Sequence, residues 1–319
     1  MAAGDAGMTG DGTGTVVVLG ATGWIGRHVL AAHARTGRPA VAVAREPAPH
    51  LGGHPFHRLD LAEAGPEEMA RLLEAHDARV VVNATDAANS RDGWHRPESE
   101  LEKGNVGAVA TLVDAVEAVE RPPRLVHLGT LHEYGPVPDG TAVHEDTPPR
   151  PANAYARTKR AGSDTVVRAA REGRVDAVVL RVANVCGPHP SPASFPGVLL
   201  ERFRRAVAGE RVSLRVTGDR RDFVDVRDVA RAVVLAGDRP GVSGRILNVG
   251  GGRAVGIGEM VAWLRRTSGV DPDRVQEVLE PVAGMGGGWM LADIAAAGRL
   301  LGWRPVVPVS DSLHDMWYA

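Results

Sequence analysis

Lysine is almost missing from this chain of 319 residues: of 37 basic residues only Lys103 and Lys159 are lysines, and the rest are Arg. Cysteine is rarer still. Cys186 stands alone, which excludes an intrachain disulfide and points to a reducing compartment, the cytoplasm. No apolar run approaches the ~20 residues that a membrane-spanning helix needs. Residues 1–14 lack the basic-then-apolar order of a secretory leader and read as a flexible tail. An excess of one charge is missing as well. The formal net charge of -2 gives no electrostatic ground for a nucleic-acid or anionic-membrane partner. What remains, 44% hydrophobic and 24% charged residues, is ordinary globular composition, at a length that suits one large α/β domain or two closely fused lobes.

Short β-branched runs alternate with stretches of helical periodicity. Strands are predicted over 15–19, 40–44, 56–59, 79–82, 124–128 and 177–182, and helices over 24–36, 67–75, 98–119 and 152–172. Such alternation implies a parallel sheet covered on both faces, the doubly wound α/β class. After Val182 the prolines at 188, 190, 192 and 196 mark loops. Helices follow over 198–208, 227–236, 257–267 and 293–301, with a strand over 245–249. The expected division is a dinucleotide-binding domain over 15–182 and 222–250. A smaller α/β substrate-binding lobe takes 183–221 and 251–319.

Directly after the first strand stands Gly20-Ala21-Thr22-Gly23-Trp24-Ile25-Gly26. Glycines here permit a tight turn, close approach to a pyrophosphate, and close packing of helix on strand. The helix N-terminus adds free N–H groups and a positive dipole end. Strand before and helix after are the context this motif demands. The second strand ends in Arg45, where NAD-preferring domains carry an acid; a guanidinium there suits a 2′-phosphate, so NADP(H) is expected ahead of NAD(H).

Tyr155 and Lys159 lie four residues apart near a helix start, a spacing that puts both on one face. An ammonium beside a phenol favours phenolate and makes Tyr155 a workable proton donor or acceptor. With three Tyr and two Lys in the chain, such a pairing is rarely accidental. Thr130, at the end of the preceding strand, could hydrogen-bond the substrate oxygen and hold it for Tyr155.

These motifs, with Asp60-Leu61, Asn83-Ala84, Asn105, Tyr134-Gly135-Pro136, the run 180–188, the run 221–226, Asn248-Val249-Gly250 and the run 301–305, span about residues 15–305. Together they resemble the extended short-chain dehydrogenase/reductase family of nucleotide-sugar enzymes. The resemblance implies that Asp60 and Leu61 lie against the adenine, Asn83, Ala84 and Asn105 along the cofactor, and Val182 and Ala183 near the carboxamide. It assigns Asn184 and Arg221 to the diphosphate of a nucleotide-diphosphate sugar. An Arg that the family often supplies before its last Asp-containing helix has no counterpart over 283–292.

Within that family, 4,6-dehydratases place Asp-Glu after the catalytic Thr, where this chain has Leu131-His132, and Arg45 argues against the tightly kept NAD of a 4-epimerase. Reduction of a 4-keto-6-deoxyhexose carried on a nucleotide such as dTDP is the reading that remains. Epimerase-reductases are the variant: His132 stands where they set a Cys, and His189 matches their Gly-Pro-His segment. Both histidines are read as substrate contacts. A non-catalytic dinucleotide sensor is the rival from another class; it would have no need of a proton donor. The resemblance also implies a homodimer through the helices at 98–119 and 152–172. His50, His54 and His57 lack the carboxylates or cysteines of a ligand set, so no metal is expected.

Overall fold

The structure, a computed structural model, describes residues 14–87, 96–279 and 288–319. Residues 1–13 of the expected tail, 88–95 of the polar stretch after Asp86, and 283–287 of the 283–292 segment lie outside them. Strands β1 (Thr15–Leu19), β2 (Ala40–Ala44), β3 (Phe56–Arg58), β4 (Ala78–Asn83), β5 (Arg124–Thr130) and β6 (Ala177–Val182) follow the chain order. The next three, β7 (Asn184–Cys186), β8 (Val212–Val216) and β9 (Arg220–Asp225), leave for a smaller lobe, and β10 (Arg245–Val249) returns. The main sheet has the order β10-β6-β5-β4-β1-β2-β3, parallel throughout. The order reverses at β1, so the crevice beyond the carboxyl ends of β1 and β4 is where such a sheet binds ligands.

Alternation along the strands builds two cores. Val16 and Val18 of β1 face α1 (Trp24–Arg35) with Val82, Leu128 and Leu180. Val17 and Leu19 face the other way with Val43, Val81 and Val179, toward α2 (Pro66–Ala75). The predicted helix over 98–119 is interrupted: α3 (Glu98–Glu102) and α4 (Ala108–Ala118) flank a π-helical turn over Lys103–Gly107. The reason is the neighbouring helix α5 (Ala154–Arg171). A Cβ on its Gly162 would lie 2.2 Å from the Asn105 carbonyl oxygen, so the widened turn and the glycine are matched. Asn153, accepting from Ala156 N at 2.8 Å, starts α5 two residues later than expected.

In the lobe, α6 (Phe195–Val207), α8 (Ile257–Ser268) and α10 (Val309–Tyr318) enclose a third core around Phe203, Met260, Leu264 and Met316. β9 pairs with β7, with β11 (Ala254–Gly256) and with β13 (Trp289–Met290), while β8 pairs with β12 (Val275–Leu279). α7 (Val226–Asp238) packs against α1 under the main sheet. α9 (Ala295–Leu301) lies in the stretch assigned to the lobe, yet its Ala297 and Leu301 pack in the main core with Trp303. Helix α10 was not foreseen; Leu313 and Met316, three apart behind Pro308, are the signal that could have found it. Among the described residues no helix is long and apolar enough to cross a membrane.

Candidate active site at the strand ends

The turn after β1 is built by the absence of side chains. Gly20 has φ +78°, and a Cβ on it would sit 2.8 Å from the Ala84 carbonyl oxygen. On Gly26 a Cβ would lie 2.2 Å from the Gly20 carbonyl oxygen, so only glycine lets α1 press against the turn. Gly23 is the exposed N-cap of α1, with no side-chain cap and no acid in the first turn. The helix start therefore offers N–H donors and a partial positive charge to an anion, which fits a pyrophosphate. Thr22 is half-buried beside it, and Ile25 packs into the core. Trp24 turns its indole elsewhere: Nε1 donates to the Pro188 carbonyl at 2.9 Å, and His28 Nε2 lies 3.1 Å from the same oxygen. These two side chains tie the lobe's entry loop to the glycine turn.

Arg45, exposed at the end of β2, lines a cavity of about 470 Å³ with Glu46, Arg58, Leu59 and Asp60. Leu61 is buried behind it. Arg58 was missed in the sequence. It lies opposite Ala44 in the β2–β3 register and pairs with Glu46 at 2.5 Å, a second guanidinium at this corner that the strand order alone reveals. Lys103, the other rare lysine, is an exposed partner of Glu63 at 2.5 Å.

Beyond β4 the two asparagines act on the protein's own backbone. Asn83, fully buried, accepts from the N–H and hydroxyl of Thr85 at 3.1 and 2.6 Å and contacts His127 Nδ1 at 3.2 Å. Asn105, at the π-helical turn, accepts from Ala87 N at 3.2 Å and donates to Thr158 Oγ1 at 3.1 Å. Between them they hold the loop of Ala84, Thr85, Asp86 and Ala87. Both asparagines thus brace that loop, because a buried amide must spend its donors and acceptors on partners within reach.

Thr130 ends β5. Its hydroxyl accepts from His132 N at 3.3 Å, and its N–H donates to Glu133 Oε1 at 3.0 Å, a capping box that fixes the Thr rotamer. Glu133, fully buried, also accepts from Ser163 at 2.9 Å and pairs with buried Arg181 at 2.7 Å. The Arg181 guanidinium lies 4.6 Å over the Tyr134 ring. The Thr-x-x-Glu spacing could have exposed Glu133; nothing in the sequence pairs it with Arg181.

Tyr155 and Lys159 share a face of α5, as their spacing requires. Lys159 Nζ donates to the Leu128 carbonyl at 2.8 Å, because a buried ammonium takes the acceptor at the sheet's end. The phenol donates to Asp86 Oδ2 at 2.9 Å. Burial first, and then the charge and hydrogen bond of Asp86, hold the phenol well above its ordinary pKa range; a hydrogen bond with Thr130 works the other way. In this arrangement the hydroxyl keeps its proton at neutral pH.

His132 meets the Tyr155 ring edge-on at 6.5 Å and hydrogen-bonds Asn184; burial, and then Arg221, push its pKa down to about 4. Asn184 Nδ2 also donates to the Asp222 carbonyl at 3.1 Å, and buried Arg221 pairs with Asp219 at 2.9 Å. Val182, buried, ends β6 beside Thr130 in register. Thr130, His132, Tyr155, Asn184 and Arg221 thus converge. Among the described residues His189 makes no contact with them. Its backbone is left-handed (φ +53°), and its ring stacks on His28 at 6.4 Å, beside the glycine turn. His50 and His54 each contact a backbone carbonyl, and among the described residues no three side chains gather as a metal site.

Residues 16–250 match the model of the NAD dependent epimerase/dehydratase family. The chain is 36% identical over 313 residues to a dTDP-6-deoxy-L-talose 4-dehydrogenase (NAD(P)(+)) of Kitasatospora kifunensis, covering 95% of each. It is 25% identical over 310 residues to a GDP-6-deoxy-D-mannose reductase of Pseudomonas aeruginosa, again with 95% of each covered. Among solved structures it is similar to the UDP-glucose 4-epimerase of Thermus thermophilus in complex with NAD, with a TM-score of 0.84, 26% identity, and coverage of 95% of this chain and 98% of that one. A match over most of the chain, a glycine turn at the reversal point of a parallel sheet, and a Thr–Tyr–Lys set at the next strand ends agree: the chain belongs to the NAD dependent epimerase/dehydratase family of extended short-chain dehydrogenases/reductases, enzymes that act on nucleotide sugars.

Proposed function

We propose that this enzyme reduces the 4-keto group of a nucleotide-4-keto-6-deoxyhexose, dTDP-linked, with NADPH. The observation that carries the proposal is the convergence of Thr130, Tyr155, His132, Asn184 and Arg221 beside an uncapped glycine turn. Bound at that turn, a nicotinamide dinucleotide supplies the hydride. Arg45, with Arg58 near it, would take a 2′-phosphate by charge-assisted hydrogen bonds.

The chain's own residues do the rest. Thr130, its hydroxyl positioned by the capping box, holds the carbonyl oxygen, and Tyr155 gives that oxygen its proton. Held above its ordinary pKa range, the phenol carries at neutral pH the proton it is to give. His132, with a pKa near 4, stays neutral at physiological pH and orients substrate rather than supplying charge. Arg221 and Asn184 stand where a diphosphate can be bound, Arg221 as the cation and Asn184 as a hydrogen-bonding amide. Leu131 is buried in the core where dehydratases carry an acid, which leaves elimination without its proton donor. The Kitasatospora relative is named for oxidation at the same carbon, and hydride transfer is reversible, so the two descriptions are one reaction written from either side.

The test is oxidation of NADPH, compared with NADH, by added dTDP-4-keto-6-deoxyhexose. Tyr155→Phe is expected to cost about 10²- to 10⁴-fold in kcat/KM. Equal consumption by wild type and variant overturns the assignment of the proton donor.

A further inference from the structure

Four basic side chains gather where the lobe's entry loop meets α1. Arg27 and His28 stand in the first two turns of that helix, His50 on the short 3-10 turn after β2, and His189 on the loop after β7. Trp24 Nε1 and His28 Nε2 both reach the carbonyl of the Pro188–His189 peptide, at 2.9 and 3.1 Å, and so hold His189 against α1. The His189 backbone is left-handed, φ +53°, a conformation that a β-carbon disfavours, and its ring stacks on His28 at 6.4 Å. His50 Nε2 reaches the Ala21 carbonyl, inside the glycine turn, at 3.4 Å. Among the described residues no carboxylate pairs with Arg27. Asp225 acts on His28, but it is already paired with Arg227 at 2.8 Å. Charge of one sign is thus collected beside an uncapped helix start without a free counter-charge from the protein. Such groups repel one another until an anion joins them.

We propose that His189 is a ligand for the pyrophosphate of a bound dinucleotide, and that its ring takes up a proton from solvent when the dinucleotide binds. This rests on the reading of the glycine turn as the dinucleotide's seat. It moves His189 from the substrate's side of the cleft, where the sequence resemblance puts it, to the cofactor's side. Partial desolvation, and then the like charges of Arg27 and His50, hold the free imidazole below its ordinary pKa of 6.5. A pyrophosphate at the start of α1 reverses that balance, because an anion close by favours the charged ring. His28 is not the group that responds. Burial lowers its pKa to about 4, and its Nε2–H is committed to the Pro188 carbonyl. The sign of the linkage follows. With the bound pKa above the free one, affinity rises as pH falls through the bound value and levels off below the free value.

The experiment is calorimetric titration of the full chain with NADPH at about pH 6.5, in buffers of different ionisation enthalpy, for wild type, His189→Asn and His189→Arg. Asn accepts the left-handed backbone and cannot hold the proton. Subtracting its proton uptake from that of wild type also cancels the proton of the cofactor's own 2′-phosphate. Wild type is expected to take up about half a proton more than His189→Asn, and to gain up to about tenfold more affinity between about pH 8 and pH 6. His189→Arg is charged at every pH, so it is expected to bind NADPH more tightly than wild type at about pH 8 and to take up no more protons than the Asn variant. Equal uptake by wild type and His189→Asn overturns the proposal while the dinucleotide site stands. The same titration with dTDP separates the two sides of the cleft. A difference in uptake seen with dTDP and not with NADPH puts His189 on the substrate's diphosphate, and overturns the proposal as well. If neither wild type nor variant binds NADPH, the glycine turn is not a dinucleotide seat, and the proposed function falls with the inference.

Discussion

The glycine turn after β1 and the Thr130–Tyr155 corner after β5 lie at the same edge of one sheet and are built by opposite means. At the turn, side chains are removed so that backbone can pack on backbone: Gly20 and Gly26 leave no space for a Cβ, and Gly23 leaves the helix start uncapped. At the corner, charged side chains are buried deep and made to satisfy one another, with Glu133 and Arg181 wholly inside and Thr130 fixed by the first of them. A backbone site tolerates change in its surroundings and fails when a methyl group is added. A side-chain network fails when one of its members is removed.

The largest effect is expected at the corner. Glu133→Ala strands the Arg181 guanidinium in the interior without its partner, which should cost about 3–5 kcal/mol in chemical denaturation. A loss below about 1 kcal/mol would mean that the network does not hold Thr130.

Next comes a residue that breaks the pattern on the turn's side. His33 on α1 is buried, and neither ring nitrogen has a hydrogen-bond partner among the described residues. Burial, and then Arg38, lower its pKa from 6.5 to about 4. Since the folded pKa is depressed, the unfolded chain binds the proton first as pH falls. Stability is therefore expected to decline between about 6.5 and 4, and to be retained above that window. Shifts of this size correspond to at most about 3 kcal/mol. His33→Leu should flatten that part of the stability–pH curve; a curve of unchanged slope would show that other groups carry it. His28, lowered to about 4 by burial despite its contact with Pro188, adds in the same direction.

The smallest effect is on binding. Gly26→Ala must push α1 off the turn, with an expected loss of at least about tenfold in dinucleotide affinity, or ~1.4 kcal/mol, by fluorescence titration. Unchanged affinity would show that the close packing is incidental to the site.

The same contrast explains what could be read in advance. The strands from 15–19 to 177–182 and the helices between them were legible because period and apolar content survive in a linear string, as were the glycine turn and the Tyr–Lys spacing. Asp86, Arg58, Glu133 and Arg181 were not read as parts of a site. Glu133 had one local signal, the Thr-x-x-Glu spacing, but the partners named for these residues lie 69, 12, 30 and 48 residues away in the chain, and no local pattern encodes such a contact. Lys159 shows the limit on a motif. Its place on the helix was correct, but its partner proved to be a carbonyl at the end of β5.

By itself the sequence determined the order of strands and helices, the glycines that only a close turn can use, and the residue types available for proton transfer. Those follow from local sterics and periodicity, which depend on neighbours in the chain. Tertiary structure alone decided which carboxylate faces the phenol, which amides brace the loop that carries it, and where the lobe's loop is tied to α1. Each of those depends on the desolvation and charge of groups brought together from distant segments, and that is set only when the strands have taken their places in the sheet.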